Sequence, residues 1–419
     1  MRIALLNDSF PPVIDGVANV VVNYASILTK HGHDVVVATP DVPGAQDDYP
    51  FPVVRYTSLN TTKLVGYRAG YPFSAAALGT LKDFKPDIIH SHCPVASNLF
   101  GRTLREQTGA PLIFTYHTKF DIDIRTAVKG RLLQNELITA LVKNIQASDE
   151  VWTVSHGAGK NLRSIGYNGP YTVMDNGVDM PAMRADQAEI DAISHRYGLR
   201  DDQPVFLFAG RMRWYKGVRH IIEGLAQAQN AGADFRMIFV GDGSDREAIE
   251  KLCRQAYIDS KCVFVGAVQD RELLRAFYSR ADLFLFPSTF DTNGIVVREA
   301  AACGLGALLV RGSCAAEGVI DGQNGLLMEE NGEDLCRQVL FACNNLDAVR
   351  RIGQNAQQQL YLSWEDAVTR AETCYARIAA QYAGAQRKSR RDLIPLVADW
   401  VGAVNHMRDV SNQVLDLLR

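Results

Sequence analysis

Patterned cysteine pairs, membrane-length apolar runs and any surplus of positive charge are all missing from this 419-residue sequence. Its eight cysteines, Cys93, Cys253, Cys262, Cys303, Cys314, Cys336, Cys343 and Cys374, are scattered and form no Cys-x-x-Cys pair. That spacing excludes a zinc ribbon and a secreted disulfide scaffold, and points to reduced thiols. A formal net charge of −3 supplies no global field for nucleic acid, so any anion site must be built locally. The opening apolar run Ile3–Leu6 stops at Asn7-Asp8, too short for a signal-peptide core, and the expected location is the cytoplasm. No Gly-x-Gly-x-x-Gly follows that run, which disfavours a nicotinamide dehydrogenase, and no fixed-period repeat indicates a solenoid.

What is present is ordinary globular composition, 47% hydrophobic and 22% charged, in a chain long enough to build two cores. Short apolar runs alternate with helical patterns: Ile3–Leu6, an amphipathic stretch from Val17 to Lys30, Val35–Ala38, Ile88–Ile89, Leu112–Phe114 and Val151–Val154. Continuous apolar runs separated by crossover helices predict a parallel, doubly wound α/β sheet buried on both faces. The series restarts at Val205–Ala209 and continues through Met237–Val240, Val263–Val265, Leu283–Phe286 and Ala307–Val310, which predicts a second sheet of the same class. The expected organisation is an N-terminal domain over 1–180, a second domain over 181–362, a crossover helix over 363–383 and a helical extension over 384–419. A polar, acidic stretch up to Gln203 separates the two series.

Candidate chemistry lies where strands end. Arg211-Met212-Arg213-Trp214-Tyr215-Lys216 directly follows the Val205–Ala209 run and Gly210, at the carboxyl end where open α/β sheets bind ligands. Arg211 and Lys216 could clamp a diphosphate and neutralise charge growing on it, although the stretch alone could equally be a solvated basic loop. A second strand end, Phe286-Pro287-Ser288, leads through Asp291 into a helix, so backbone N–H groups at Asn293, Gly294, Ile295 and Val296 form a candidate anion site. Glu299 on that helix can accept from hydroxyls; an exposed acid near a helix N-terminus, or a capping role for Asp291, are the plainer alternatives. His117 follows the Leu112–Phe114 run, where a satisfied strand-end histidine is the plainer reading, and His90 and His92 follow Ile88–Ile89, where core-edge polar residues are the plainer reading.

These elements together resemble the retaining glycosyltransferases of family 4, which have the GT-B fold of two Rossmann-like domains facing a cleft. The family's signature, Glu-x7-Glu preceded by Pro-Ser, is matched at Pro287-Ser288, Glu299-Ala300 and Gly304. Asp291 stands where the first Glu is usual, which shortens the reach by roughly 1.5 Å, about one methylene. Phe10-Pro11-Pro12 with Asp15-Gly16, Asn176-Gly177-Val178-Asp179, Gly241-Asp242-Gly243, Gly325-Leu326-Leu327 and Ser363-Trp364 extend the resemblance up to the crossover helix. It implies that Gly16 lets backbone approach the donor phosphates, where a simple turn is the alternative. It also implies that His117 bonds a donor-sugar hydroxyl or the leaving region, and that His117, Arg211, Lys216 and Asp291 are the catalytic set. His90, His92, Tyr67 and Arg68 are candidates on the acceptor side.

The implied activity is a metal-independent, anomer-retaining hexosyl transfer with no cofactor beyond a UDP-sugar co-substrate. Asp121-Ile122-Asp123 fits a metal motif only formally, since it follows the His117 strand and not the donor clamp. Phe10-Pro11-Pro12, Tyr71-Pro72-Phe73-Ser74 and Thr115-Tyr116-His117-Thr118 look most like bacterial diacylglycerol glucosyltransferases. They suggest glucose as the sugar, a lipid acceptor such as diacylglycerol, and peripheral attachment to the inner face of the membrane. A soluble acceptor and a catalytically silent nucleotide-sugar-binding protein are the alternatives. Beyond the crossover helix, Arg387-Lys388-Ser389-Arg390-Arg391 and a stripe of Val397, Trp400, Val404, Met407, Val414 and Leu418 suggest a helix for association, including homo-oligomerisation.

Overall fold

A computed structural model describes residues 1–13, 15–60 and 68–383; Tyr67 and the expected extension over 384–419 lie outside the described residues. The chain divides into two compact units. One holds Met1–Val154, Ala158–Met174 and the chain from Val368; the other holds Ser155–Gly157 and Asp175–Ala367. The division therefore falls after Met174 and again within the helix Trp364–Ala383. The Asn176-Gly177-Val178-Asp179 stretch goes with the second unit because Val178 N–H bonds Leu362 O at 3.0 Å.

The first unit contains β1 (Arg2–Leu6), β2 (Asp34–Pro40), β3 (Val53–Tyr56), β4 (Ser58–Leu59), β5 (Ala69–Gly70), β6 (Ile88–Ser91), β7 (Leu112–Tyr116), β8 (Glu150–Thr153) and β9 (Thr172–Val173). Seven of these strands form one parallel sheet in the order β3-β2-β1-β6-β7-β8-β9, while β4 and β5 pair separately as an antiparallel ladder. Strands β6 and β7 are buried at every position, as expected of strands covered by helices on both faces. The first crossover helix, Gly16–Lys30, starts on Asp15, whose carboxylate accepts from Val17 N–H at 2.8 Å and Ala18 N–H at 2.7 Å. Such a cap contributes about 1 kcal/mol.

The second unit repeats the plan with β10 (Val205–Ala209), β11 (Arg236–Val240), β12 (Cys262–Gly266), β13 (Leu283–Phe286), β14 (Ala307–Val310) and β15 (Leu326–Met328), all parallel in the order β12-β11-β10-β13-β14-β15. In both sheets the chain starts centrally, builds outward on one side, then returns to the other. That order places a switch point between β1 and β6, and another between β10 and β13, the position where such sheets bind ligands.

Strands β3, β4, β5, β9 and β15 add to the apolar runs read as strands from the sequence, and the stretch between the two series is itself partly helical. The polar stretch expected to separate the domains contains the helix Gln187–Tyr197, with Ile190 and Ile193 buried and Glu189 accepting from Asp186 N–H at 3.2 Å. Its signals were local, an Asp before the first turn with a Glu three residues on, but the apolar face is only two residues wide.

Candidate functional site

Loops leaving β10 and β13 meet beside the second unit's switch point because glycines allow it. Gly217 has φ 76°, and a Cβ there would sit 2.1 Å from Pro287 O; at Gly241, after β11, it would sit 1.9 Å from Gly210 O. Only a residue without a side chain brings these backbones so close. The approach carries Lys216 to Asp291, with Nζ to Oδ1 at 2.5 Å, and the other carboxylate oxygen accepts from Ser288 Oγ. The pair is partly sheltered, the Lys216 and Asp291 side chains being 14% and 22% exposed. The ammonium also lies 5.6 Å from the Phe286 ring centroid and 5.8 Å from that of Tyr215, close enough for cation–π attraction.

Arg211 is exposed, and among the described residues its side chain has no ion-pair partner. Gly294, in the left-handed region, opens the helix Ile295–Ala302. The helix's first N–H groups, those of Ile295 and Val296, have no carbonyl one turn back to bond, and Asn293 just before them is buried. Lys216, Asp291, Asn293, Gly294, Ile295 and Val296 are thus assembled around the end of β13 as two convergent loops.

Glu299 departs from the simplest expectation of an exposed, hydroxyl-seeking acid. It is 7% exposed, and its carboxylate is engaged by Arg271 at 2.8 Å and by Tyr278 Oη at 3.1 Å. Burial, reinforced by the Glu299 charge, pushes the Tyr278 phenol well above its usual range, so it remains a donor. A carboxylate has about four acceptor sites, so a further hydroxyl can still be accepted beside these two partners. Neither Arg271 nor Tyr278 was legible beforehand, because they lie 28 and 21 residues away on another helix.

In the first unit, Gly16 is exposed at the start of its helix, and a Cβ there would meet nothing within 4 Å. Protein packing does not demand a glycine at that position. His90, His92 and His117 converge where β6 and β7 end. His90 is wholly buried and bonds Tyr375 Oη at 2.6 Å and Thr115 Oγ1 at 2.7 Å. With both nitrogens engaged, His90 is an interior residue and does not serve as an acceptor-side contact. His92 is 1% exposed, with Nδ1 at 3.0 Å from His117 Nε2, which likewise turns it inward to the cluster.

Burial, then the neighbouring His117, lowers His90 well below the usual imidazole range; burial, then His90 and His117, does the same for His92; burial alone takes His117 to about 3. All three rings are neutral at physiological pH. Arg68 is likewise used locally: its guanidinium donates to Ser58 Oγ at 2.7 Å and Asp41 O at 3.1 Å, bracing the β4–β5 pair. Asp121 and Asp123 lie in the first turn of the helix Phe120–Ala127, where Asp121 accepts from Asn161 at 3.1 Å.

Two parallel sheets of Rossmann order in one chain define a GT-B architecture. An Anabaena protein, HepE, solved with UDP and glucose, has the same fold: it superimposes with a TM-score of 0.70 at 18% identity, over 90% of this chain and 100% of that one. Residues 14–180 match the family model described as Glycosyltransferase Family 4 and residues 189–359 match that of Glycosyl transferases group 1, so the chain belongs to the GT-B glycosyltransferases of family 4. It is similar to the alpha-monoglucosyldiacylglycerol synthase of Acholeplasma laidlawii, 23% identical over 85% of this chain and 92% of that protein. It is also similar to a GDP-mannose-dependent alpha-mannosyltransferase of Mycobacterium tuberculosis, 28% identical over 73% of this chain and 78% of that protein.

Proposed function

We propose that this glycosyltransferase moves a glucosyl group from UDP-glucose to a diacylglycerol-type lipid at the membrane surface, with retention at the anomeric carbon and without a metal. The observation that carries the donor reading is the convergence of Lys216, Asp291 and the Ile295–Ala302 helix start at the switch point of the second sheet. An ammonium has three donors; one serves Asp291, and two remain for diphosphate oxygens. Arg211, exposed on the same loop, supplies the second cation. Asp291, oriented by Lys216 and Ser288, is assigned to hydroxyls of the transferred sugar, and Glu299 to the ribose.

In the proposed reaction the bond between the anomeric carbon and the β-phosphate oxygen breaks as the acceptor hydroxyl oxygen bonds that carbon on the same face. The acceptor proton passes to the departing phosphate, and the two cations offset the charge developing there. Glucose and a diacylglycerol acceptor are supported by the Acholeplasma relative's name, and a UDP donor by the ligands of the Anabaena structure. The mycobacterial relative supports a second reading, GDP-mannose as donor.

The test is mass-spectrometric detection of product after incubation with UDP-glucose, UDP-galactose or GDP-mannose and either a lipid extract or soluble sugars. Glucosyl-diacylglycerol is expected from UDP-glucose. Product only from GDP-mannose, or only on soluble sugars, would sink the corresponding part of the reading, and no product with any pair would leave the silent nucleotide-sugar-binding alternative.

A further inference from the structure

Glu299 is held by two donors from one face of a neighbouring helix. Its Oε1 accepts from Arg271 Nη2 at 2.8 Å and its Oε2 from Tyr278 Oη at 3.1 Å. Both donors belong to the helix Arg271–Arg280, which opens on Asp270, whose carboxylate accepts from Glu272 N–H at 2.9 Å. Positions seven apart are separated by nearly two full turns, so Arg271 and Tyr278 stand on one face of that helix and reach the same carboxylate from two levels. The Tyr278 ring is wholly buried and sits edge-on to Phe284 of β13 with centroids 5.6 Å apart, so its hydroxyl is carried on a fixed frame. The Arg271 side chain, 46% exposed, lies at the open end of the pair.

One donor on each oxygen has a geometric consequence. The last side-chain torsion of a glutamate is broad, so a single partner leaves the carboxylate plane free to turn. Two partners on different oxygens fix that plane. Each oxygen then keeps one of its two acceptor positions. The remaining pair lies side by side, the arrangement that receives hydroxyls on adjacent carbons, and a ribose carries such hydroxyls at its 2′ and 3′ positions. Among the described residues the Tyr278 hydroxyl makes its hydrogen bond to Glu299 and to nothing else. Burial of the ring against Phe284 would be served as well by phenylalanine, without the cost of burying an oxygen.

We propose that Tyr278 is a positioning residue that, together with Arg271, holds the plane of the Glu299 carboxylate so that both its oxygens meet the 2′ and 3′ hydroxyls of the donor nucleotide, and thereby makes the site select ribonucleotides over 2′-deoxyribonucleotides. This role rests on the assignment of Glu299 to the ribose. Tyr278 touches no ligand; it acts through Glu299, and it bears on nucleotide affinity and not on the bond-breaking step.

The test is titration calorimetry on the full chain with UDP and 2′-deoxy-UDP, and with GDP and 2′-deoxy-GDP, for the wild type, Tyr278→Phe, Arg271→Met and Arg271→Lys. Tyr278→Phe keeps the ring and removes only the hydroxyl, while Arg271→Met removes the other donor at a half-exposed position and serves as the variant more certain to fold. With the base that binds, the wild type is expected to favour the ribonucleotide about 10- to 100-fold, and Tyr278→Phe to favour it less than about threefold, through lost ribonucleotide affinity with the 2′-deoxy affinity little changed. Arg271→Met narrows the ratio in the same way, and Arg271→Lys restores it in part. A tyrosine with a packing role alone would lower the melting temperature or weaken both forms alike, and leave the ratio where it was. An unchanged or widened ratio in Tyr278→Phe, beside a wild type that discriminates, overturns the proposal and leaves Glu299 on the ribose. A wild type that binds both forms equally, or neither, overturns the assignment of Glu299 itself, and the proposal falls with it.

Discussion

Lys216 and Arg211 are both cations on one loop, but their surroundings differ, and so should the consequences of removing them. Lys216 is half of a sheltered ion pair, so Lys216→Ala leaves the Asp291 carboxylate, among the described residues, with Ser288 alone as side-chain partner and should cost about 1–3 kcal/mol of stability as well as activity. Arg211 is exposed, so Arg211→Ala should leave the melting temperature unchanged while lowering transfer about 100- to 1,000-fold, the cost of losing one preorganised charge-stabilising donor. Calorimetry and turnover measured on the same preparation separate the two effects; near-wild-type turnover for Arg211→Ala removes it from the site. For Asp291, replacement by Asn keeps the size and removes the charge that holds Lys216. Transfer should fall sharply while UDP affinity, measured by titration calorimetry, stays close to wild type. Undiminished transfer would reduce Asp291 to an anchor for the loop.

Among the backbone elements, two glycines make opposite predictions. Gly217 is held in the left-handed region against Pro287 O, so Gly217→Ala must push the β10 and β13 loops apart, and it should destabilise the second unit by at least about 2 kcal/mol and disperse the donor cluster. Gly16 opens a helix, has no left-handed φ and faces open space, so Gly16→Ala should leave thermal stability unchanged or raise it by about 0.5 kcal/mol. If backbone at Gly16 approaches the donor phosphates, the same variant loses nucleotide affinity despite its sound fold. Equal affinity in Gly16→Ala and the wild type would return Gly16 to the status of a simple helix start. Continuous apolar runs made the strands that carry these loops legible, since burial on both faces leaves no room for polar alternation. The helix Gln187–Tyr197 escaped because its buried face is too narrow to register as a period among its polar neighbours.

For the whole molecule, the buried histidines make the first unit acid-sensitive, and the sign follows from their direction of shift. Their folded-state pKa values lie below the ordinary 6.5, with His117 at about 3, so the unfolded chain binds more protons once pH drops below about 6.5. Stability is full above that pH and falls below it, by up to about 1.4 kcal/mol per pH unit for His117 down to its folded value of about 3, and His90 and His92 act in the same direction. Glu372, which bonds His31 Nδ1 at 2.8 Å and His33 Nε2 at 2.7 Å, acts in the same direction. Burial would raise its pKa, but the two histidines lower it, so its contribution is lost as pH falls below the ordinary carboxylate range. Asp8 runs the other way, raised by burial and only partly countered by its bonds to Cys93, Ser97 and Ala96, and it offsets part of the loss. Hydrogen-exchange protection of β6 and β7 should therefore drop between about pH 6.5 and 4 before that of β10 and β13; simultaneous loss in both units would contradict this assignment.

The sequence by itself determined the two βα series, the loops at the strand ends and the residue types those loops carry, because runs of apolar side chains and turn residues act on the backbone within a few positions. It also placed Asp291 and Lys216 at two strand ends, without saying that they touch. Only the tertiary structure decided the partners: Lys216 with Asp291 across 75 positions, Glu299 with Arg271 across 28, His90 with Tyr375 across 285. A hydrogen bond is specified by about 3 Å of space and by no fixed distance along the chain. His90 therefore reads the same in sequence whether it faces a substrate or, as here, a tyrosine and a threonine in the core.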